Sequence, residues 1–139
     1  MKRITVLLGL LSMSPSLFAL DCTNFGITIT NETVDECVLK SSSLFYGYLF
    51  SGMVPLTIPS KATSPKFYLQ QDDIGAGIQL NYRCNAKSVS FYSGQEHCNW
   101  VAGGIGGDTF GGNDLNVEYQ YQYGSRWSNK AGEISWRIF

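Results

Sequence analysis

A single histidine is the side chain in this 139-residue sequence that is best suited to acid–base catalysis. His97 follows Ser93 by four residues and is adjacent to Glu96, which together supply the base, nucleophile and acid of a serine hydrolase. A working nucleophile also needs an oxyanion pocket and a base within hydrogen-bond reach. No Gly-x-Ser-x-Gly motif surrounds Ser93, so we predict that His97 is an exposed loop residue.

Two adjacent pairs of carboxylates, at 35–36 and 72–73, are the next candidates for catalysis. Glycosidases place two carboxylates on either side of the scissile bond. Neighbouring residues of a strand instead point to opposite faces, and both pairs have the sequence context of turns. A hydrolase that uses His97 or these carboxylates is therefore kept only as the alternative to a non-enzymatic protein.

The glycine-rich segment 103–110 matches the Gly-Gly-x-Gly-x-Asp calcium repeat of β-roll proteins, and 111–115 resembles a partial second copy. Calcium in a β-roll lies between successive turns, so a site needs several consecutive repeats. We predict a flexible loop over 103–114 and no cofactor. If calcium binds, its oxygen ligands are expected to be Asp108, Asn113 and Asp114.

Aromatic residues are abundant, with eight Phe, eight Tyr and three Trp. Tyr and Trp combine an apolar ring with a polar tip, which suits contacts with lipids, glycans and proteins. Tyrosine is also a common strand residue that simply covers a sheet. We predict that part of the surplus forms a binding face. Its residues would be Tyr46, Tyr48, Tyr119, Tyr121, Tyr123 and Trp127.

Apolar residues alternate with polar ones in several segments, as they do in half-buried strands. The clearest segments are 25–29, 78–84, 89–91, 115–123 and 134–138. Segment 44–50 is apolar on both faces, which indicates either a central strand or a strand that faces a partner. No segment after residue 19 has a helical period. The sequence therefore predicts an all-β fold, a single antiparallel β-sandwich domain over 20–139.

The first 19 residues have the pattern of a cleavable signal peptide. Lys2 and Arg3 precede an apolar run over 4–11, and Ala19 offers a small residue before the cut. Asp21 argues against lipid attachment at Cys22, because a lipidated cysteine follows a small neutral residue. We predict a bacterial protein that is secreted or periplasmic. Cleavage leaves 8 basic and 11 acidic residues, a net charge of −3, which argues against nucleic acid as a partner.

Four cysteines follow the leader, and an even number in an exported domain predicts two disulfides. Three pairings are possible. The local one, Cys22–Cys37 with Cys84–Cys98, is favoured because each bond closes a loop of about 15 residues, worth roughly 3 kcal/mol in the chain-entropy model. The spacing lacks the Cys-x-x-Cys and His-x-x-x-His patterns of zinc sites.

Several short segments resemble, in order, the early strands of the aegerolysin and actinoporin-like group of secreted β-sandwiches. They are Ile-Thr-Asn-Glu-Thr at 29–33, Leu39 with Leu44 and Gly47, Pro-Leu-Thr-Ile-Pro at 55–59, Phe-Tyr-Leu at 67–69, and 75–82. The resemblance covers about residues 25–82. It implies a sandwich that binds membrane lipids, sometimes as part of a pore.

Together these observations predict an exported, non-enzymatic binding domain. Its target would be a cell surface, a membrane lipid or a glycan, and its contact surface the tyrosine-rich face with Trp127. Two alternatives remain open at this point. One is the secreted hydrolase, and the other is a structural or inhibitory protein that binds another protein by strand addition.

Overall fold

Alternating sequence patterns become strands throughout the computed structural model, which describes residues 19–139. The strands are β1 (Asn24–Asn31), β2 (Cys37–Tyr46), β3 (Tyr48–Ser51), β4 (Thr57–Ile58), β5 (Ala62–Thr63), β6 (Phe67–Gln70), β7 (Gly75–Cys84), β8 (Lys87–Glu96), β9 (Ile105–Thr109), β10 (Val117–Gln122) and β11 (Gly132–Ile138). The predicted signal peptide lies outside the described residues except for Ala19, so its cleavage stays a prediction.

Two sheets pack face to face and confirm the all-β sandwich. The first sheet has the order β10-β11-β1-β6-β3, with β5 also paired to β1, and the second has the order β4-β2-β7-β8-β9. The neighbouring strands β1 and β11 are parallel, from Phe25 opposite Gly132 to Asn31 opposite Ile138. The first sheet is therefore mixed rather than purely antiparallel, because the first and last strands of the sandwich run side by side.

The core lies between the two sheets, and most of its residues are ones that the alternation predicts, whereas Ile58, Phe67 and Leu69 come from segments without a predicted alternation. The first sheet contributes Phe25, Ile27, Ile29, Phe67, Leu69, Ile134, Trp136 and Ile138, and the second contributes Ile58, Ile78, Leu80, Tyr82, Val89 and Phe91. Trp136 is 1 % exposed, its ring centre lies 4.6 Å from that of Phe91, and its indole N–H donates to Ser93 Oγ at 2.7 Å. Every buried side-chain nitrogen or oxygen in residues 19–139 has a hydrogen-bond partner.

The two disulfides are Cys22–Cys98 and Cys37–Cys84, so the predicted local pairing is wrong. Cys37 and Cys84 are directly opposite each other on β2 and β7. Cys84 and Cys98 flank the ten-residue strand β8, which at about 3.4 Å per residue holds them roughly 35 Å apart. Strand β1 separates Cys22 from Cys37 in the same way. A short loop in sequence therefore does not mean proximity when it contains an extended strand.

The glycine-rich segment is only partly the predicted loop, because Ile105–Thr109 forms strand β9. Gly106 is paired with Gly94 of β8, and Gly107 faces Trp136. A Cβ atom at Gly107 would lie 2.5 Å from the indole ring, so only glycine allows the strand to approach this closely. The glycines serve packing at this position rather than loop flexibility.

Segment 44–50 lies at the exposed edges of both sheets and not in a central strand. It contains the end of β2, a turn at Gly47, and the start of β3 in the other sheet. Its hydrophobic side chains are substantially exposed, Tyr48 by 58 %. The structure therefore excludes the central-strand alternative for this segment.

Candidate binding surface

One end of the sandwich collects most of the connections that carry exposed apolar residues. Strands β1, β3, β7, β9 and β11 begin at this end, and strands β2, β6, β8 and β10 finish there. The connecting segments are the turn at Gly47 and residues 71–74, 97–104 and 123–131. We call this end the loop end.

Exposed apolar side chains lie on or next to each of these connections. We define the apolar rim as Tyr48, Ile74, Trp100, Val101 and Trp127, whose exposed fractions are 58, 63, 66, 80 and 80 %. The Trp100 and Trp127 rings lie 5.8 Å apart, and the Arg126 guanidinium lies over Trp100 at 5.8 Å from the ring centre. Ring contact and the cation–π geometry join the two loops that carry these tryptophans.

Asp72 ties two of the connections together. Its Oδ2 accepts a hydrogen bond from the Gly47 N–H at 2.9 Å, and its Oδ1 accepts from the N–H groups of Ile74 at 2.8 Å and Gly75 at 3.0 Å. These backbone donors, Gly47 first, lower the pKa of Asp72 below the ordinary 3.8. Gly47 has a φ of 75°, and a Cβ there would lie 2.3 Å from the Gln70 carbonyl oxygen. The turn therefore requires glycine at position 47, and the hydrogen bond from the Gly47 N–H to Asp72 holds the turn against the 71–74 connection.

We expect Asp72→Ala to speed hydrogen exchange severalfold at the Gly47 and Ile74 amides, because both lose their carboxylate acceptor. The matched variant Asp73→Ala removes a neighbouring exposed carboxylate and should leave both amides protected. Since folding lowers the pKa of Asp72, its stabilising effect is complete at neutral pH. It is lost only as the pH falls below about 4 and through the lowered value. Unchanged exchange in Asp72→Ala would contradict this role.

The loop that carries Trp100 is anchored where it leaves β8. The Cys98 N–H donates to Gln71 Oε1 at 2.7 Å, and Gln71 Nε2 donates back to the Cys98 carbonyl at 2.9 Å. The His97 N–H donates to the Ile74 carbonyl at 3.1 Å, and a disulfide joins Cys98 to Cys22. The apolar rim therefore rests on a fixed base rather than on free loops.

A row of tyrosines occupies the inner side of β10, at the edge of the second sheet, where Tyr119 lies against Gly107 of β9. Ring centres lie 6.3 Å apart for Tyr119 and Tyr121 and 5.3 Å apart for Tyr121 and Tyr123. Tyr119 also contacts the buried Trp136 at 4.9 Å. A hydrogen bond with Tyr121 raises the pKa of Tyr123. The row therefore covers the margin of the core while it remains more than one-third exposed.

A cleft of about 480 Å³ lies on the outer face of the second sheet beside the loop end. Its side-chain walls are Tyr46, Tyr92, Glu96 and Asp108, above a glycine floor. The Tyr92 ring lies close over Gly77 and Gly94, where a side chain would collide with it. Burial, and to a smaller extent the nearby Tyr46, raises the pKa of Tyr92.

The six predicted binding residues are all exposed, but they do not form one patch. Tyr48 and Trp127 belong to the apolar rim, and Tyr46 lines the cleft. Tyr119, Tyr121 and Tyr123 form the separate row on β10. Their role in binding stays a prediction.

Sequence reasoning missed four exposed or cleft-lining residues at this end: Ile74, Tyr92, Trp100 and Val101. Trp100 and Val101 form an apolar pair just after Cys98, in a segment without strand alternation. Such a pair in a loop is the signal that would have indicated an exposed apolar contact. Ile74 and Tyr92 gave no comparable signal.

Ser93 and His97 do not form the nucleophile–base pair of a serine hydrolase. Ser93 is buried, and its hydroxyl accepts from Trp136. His97 is an exposed loop residue, as predicted, with Nδ1 3.0 Å from the Asp72 carbonyl oxygen. The two side chains therefore serve different parts of the structure.

Two of the three candidate calcium ligands are engaged with the backbone of β8. Asn113 accepts from the Ser90 N–H at 2.8 Å, and Asp114 accepts from the Ser88 N–H at 2.9 Å. Within residues 19–139, no group of three or more His, Cys, Asp or Glu side chains is arranged to hold a metal ion. Calcium binding stays untested.

The fold and the loop end place this chain among disulfide-bonded β-sandwich proteins. It is similar to the crystal structure of the lipid binding protein Nakanori, with a TM-score of 0.60 and 9 % identity over 84 % of this chain and 71 % of the other. It is also similar to IP-1A from Alcaligenes faecalis, with a TM-score of 0.54 and 9 % identity over 86 % of this chain and 94 % of the other. At these identities the likeness shows the fold alone. No protein-family model and no curated protein sequence matches the chain.

Proposed function

We propose that this protein is a non-enzymatic binding domain that attaches to a lipid membrane through its loop end. The observation that carries the proposal is the apolar rim, where Tyr48, Ile74, Trp100, Val101 and Trp127 are all largely exposed on or beside the connections of one end of the sandwich. Exposed apolar area of this kind gains about 25 cal/mol for each Å² that leaves water. The likeness to a protein described as lipid binding supports the proposal.

The side chains of the rim suit the boundary between lipid head groups and acyl chains. Tryptophan and tyrosine concentrate at membrane–water interfaces, because the ring enters the apolar layer while the polar tip stays hydrated. Among residues 19–139, no helix is long and apolar enough to cross a bilayer. Insertion of the apolar rim alone would make the attachment peripheral, with the strands roughly perpendicular to the membrane surface.

Charges around the loop end do not favour anionic lipids. The acidic residues Asp72, Asp73 and Glu96 outnumber the basic residues Arg126 and Lys130 in and beside its connections. Binding to an anionic surface normally uses a cluster of Lys and Arg. We therefore infer that the target is a zwitterionic membrane, and that binding depends little on salt.

We expect the double variant Trp100→Ala/Trp127→Ala to bind phosphatidylcholine vesicles at least about tenfold more weakly than the wild type, because it loses two large interfacial side chains. Co-flotation with vesicles at a series of lipid concentrations measures the change. The matched control is Leu56→Ala/Phe110→Ala, which removes two exposed apolar side chains at the opposite end.

The pair of variants makes the proposal falsifiable. Normal binding by the control and weak binding by the tryptophan variant would support the loop end as the contact. Equal binding by both would reject it. Failure of the wild type to bind sugar-free vesicles, together with binding to immobilised glycans, would favour a glycan target instead.

We also propose that the protein acts outside the cytoplasm, after cleavage of the predicted leader 1–19. Two disulfides, Cys22–Cys98 and Cys37–Cys84, support an oxidising compartment, since such bonds are typical of periplasmic and extracellular proteins.

A further inference from the structure

Strand β10 leaves one edge of the first sheet open. It is the terminal strand of that sheet and pairs only with β11 within residues 19–139. Residues 118–123 are all exposed, and the connection before β10 runs along β8 through Asn113 and Asp114. An open edge presents unpaired N–H and C=O groups to any chain that can add a strand.

The other outer strands of the described chain carry features that discourage pairing. Strand β3 has four residues and a bulge between Leu49 and Ser51, and β4 has two residues. Strand β9 contains Gly106 and Gly107. The β10 sequence, Val-Glu-Tyr-Gln-Tyr-Gln, instead has no proline, glycine or lysine and only one charge. Strand β10 thus lacks the usual protection of an exposed edge.

The hydrogen bonds to β11 determine which groups face the open edge. Asn116 and Phe139 exchange both N–H···O bonds, each at 2.9 Å. In an antiparallel pair such residues alternate with residues whose groups point the other way. The N–H and C=O groups of Val117, Tyr119 and Tyr121 therefore point to the open edge.

We propose that the β10 edge binds a second copy of this chain, by antiparallel β10–β10 pairing centred on Gln120. Tyr119 then lies opposite Tyr121 of the partner subunit and exchanges backbone hydrogen bonds with it. This register is the one in which the unpaired N–H and C=O groups at the open edge of both strands face each other. The pairing continues the first sheet from one protomer into the other.

The edge is complementary to itself in this register. All tyrosines of both strands lie on one face and the glutamines on the other, because strand residues alternate. The one charged residue, Glu118, lies opposite the neutral Gln122 of the partner subunit, so no like charges meet. A foreign strand would need to match this arrangement, whereas a second copy matches it by symmetry.

The dimer would have a consequence for membrane binding that rests on the proposed function. Antiparallel pairing reverses the strand direction, so the two loop ends point in opposite directions. Strands β7 and β8 have ten residues each, which places opposite ends of the sandwich about 35 Å apart at 3.4 Å per residue. The dimer would therefore bind two membranes at once and bridge them.

Two lysine substitutions on the same strand and the same face test the register. Gln120→Lys puts two positive charges directly opposite each other at the symmetry axis, in a pair with Cα atoms only about 4.5 Å apart. Gln122→Lys adds the same charge to the monomer but faces Glu118 of the partner subunit. Light scattering over a range of protein concentrations should show a dimer for the wild type and for Gln122→Lys, and a monomer for Gln120→Lys.

Vesicle turbidity then tests bridging. We expect the wild type and Gln122→Lys to aggregate phosphatidylcholine vesicles, and Gln120→Lys to bind them without aggregation. A monomeric wild type at all concentrations, or identical behaviour of the two lysine variants, would overturn the dimer. A dimer that persists in a protein unable to bind vesicles would reject the proposed function and leave the edge pairing intact.

Discussion

Replacement of Trp136 by alanine is expected to lower the free energy of unfolding by about 3–5 kcal/mol, the usual cost for a large buried aromatic side chain. Trp136 is 1 % exposed and contacts Phe91 and Tyr119 with ring centres 4.6 and 4.9 Å away. Gly107 lies against the same ring without a side chain, so it cannot fill the space that the indole leaves. Such a loss is a large part of the 5–15 kcal/mol that stabilises an ordinary domain.

Chemical denaturation of matched variants checks this expectation. Trp127→Ala removes the same side chain from a site that is 80 % exposed, and should change stability by no more than about 0.5 kcal/mol. Ser93→Ala leaves the indole N–H without its acceptor and should cost about 1–3 kcal/mol. Similar losses for the two tryptophan variants would show that Trp136 is not the centre of the core. Unchanged stability in Ser93→Ala would show that the hydrogen bond from Trp136 to Ser93 does not stabilise the fold. A functional role for Ser93 would then have to be considered again.

The sequence was sufficient to predict β1, β7, β8 and β11, which contribute most of the core. Alternation in 25–29, 78–84 and 134–138 is a local pattern, and each side chain that it predicts to point inward is buried in the structure. Alternation also continued into the tyrosine row of β10, but it did not show that these side chains lie at the edge of the second sheet and stay more than one-third exposed. Local periodicity reports which residues share a face, and not what covers that face.

Features that depend on topology could not be predicted in the same way. The disulfide partners Cys37 and Cys84 are 47 residues apart and meet because β2 pairs with β7. Strand β9 was not predicted, because its glycines are typical of a loop. Their packing role is seen only in the structure, where Gly107 lies against Trp136. The apolar rim as one surface likewise could not be predicted, although Tyr48 and Trp127 were, because its residues share one end of the molecule only after both sheets have formed.

The two disulfides should contribute similarly to stability and differently to membrane binding. Their sequence separations are 76 residues for Cys22–Cys98 and 47 for Cys37–Cys84. In the chain-entropy model each closed loop of this length is worth about 4 kcal/mol. We therefore expect the double variants Cys22→Ser/Cys98→Ser and Cys37→Ser/Cys84→Ser to lose comparable free energies of unfolding, measured by urea denaturation.

Only one of these bonds holds the loop end. Cys98 begins the segment that carries Trp100, whereas Cys37–Cys84 lies at the opposite end of the sandwich. Under conditions where both variants remain folded, we expect vesicle binding to weaken severalfold in Cys22→Ser/Cys98→Ser and to stay normal in Cys37→Ser/Cys84→Ser. The comparison separates a general loss of stability from a local loss of order, because an effect of stability alone would weaken both variants equally. Normal binding in the first variant would show that the apolar rim is positioned by the Gln71 hydrogen bonds without help from the disulfide.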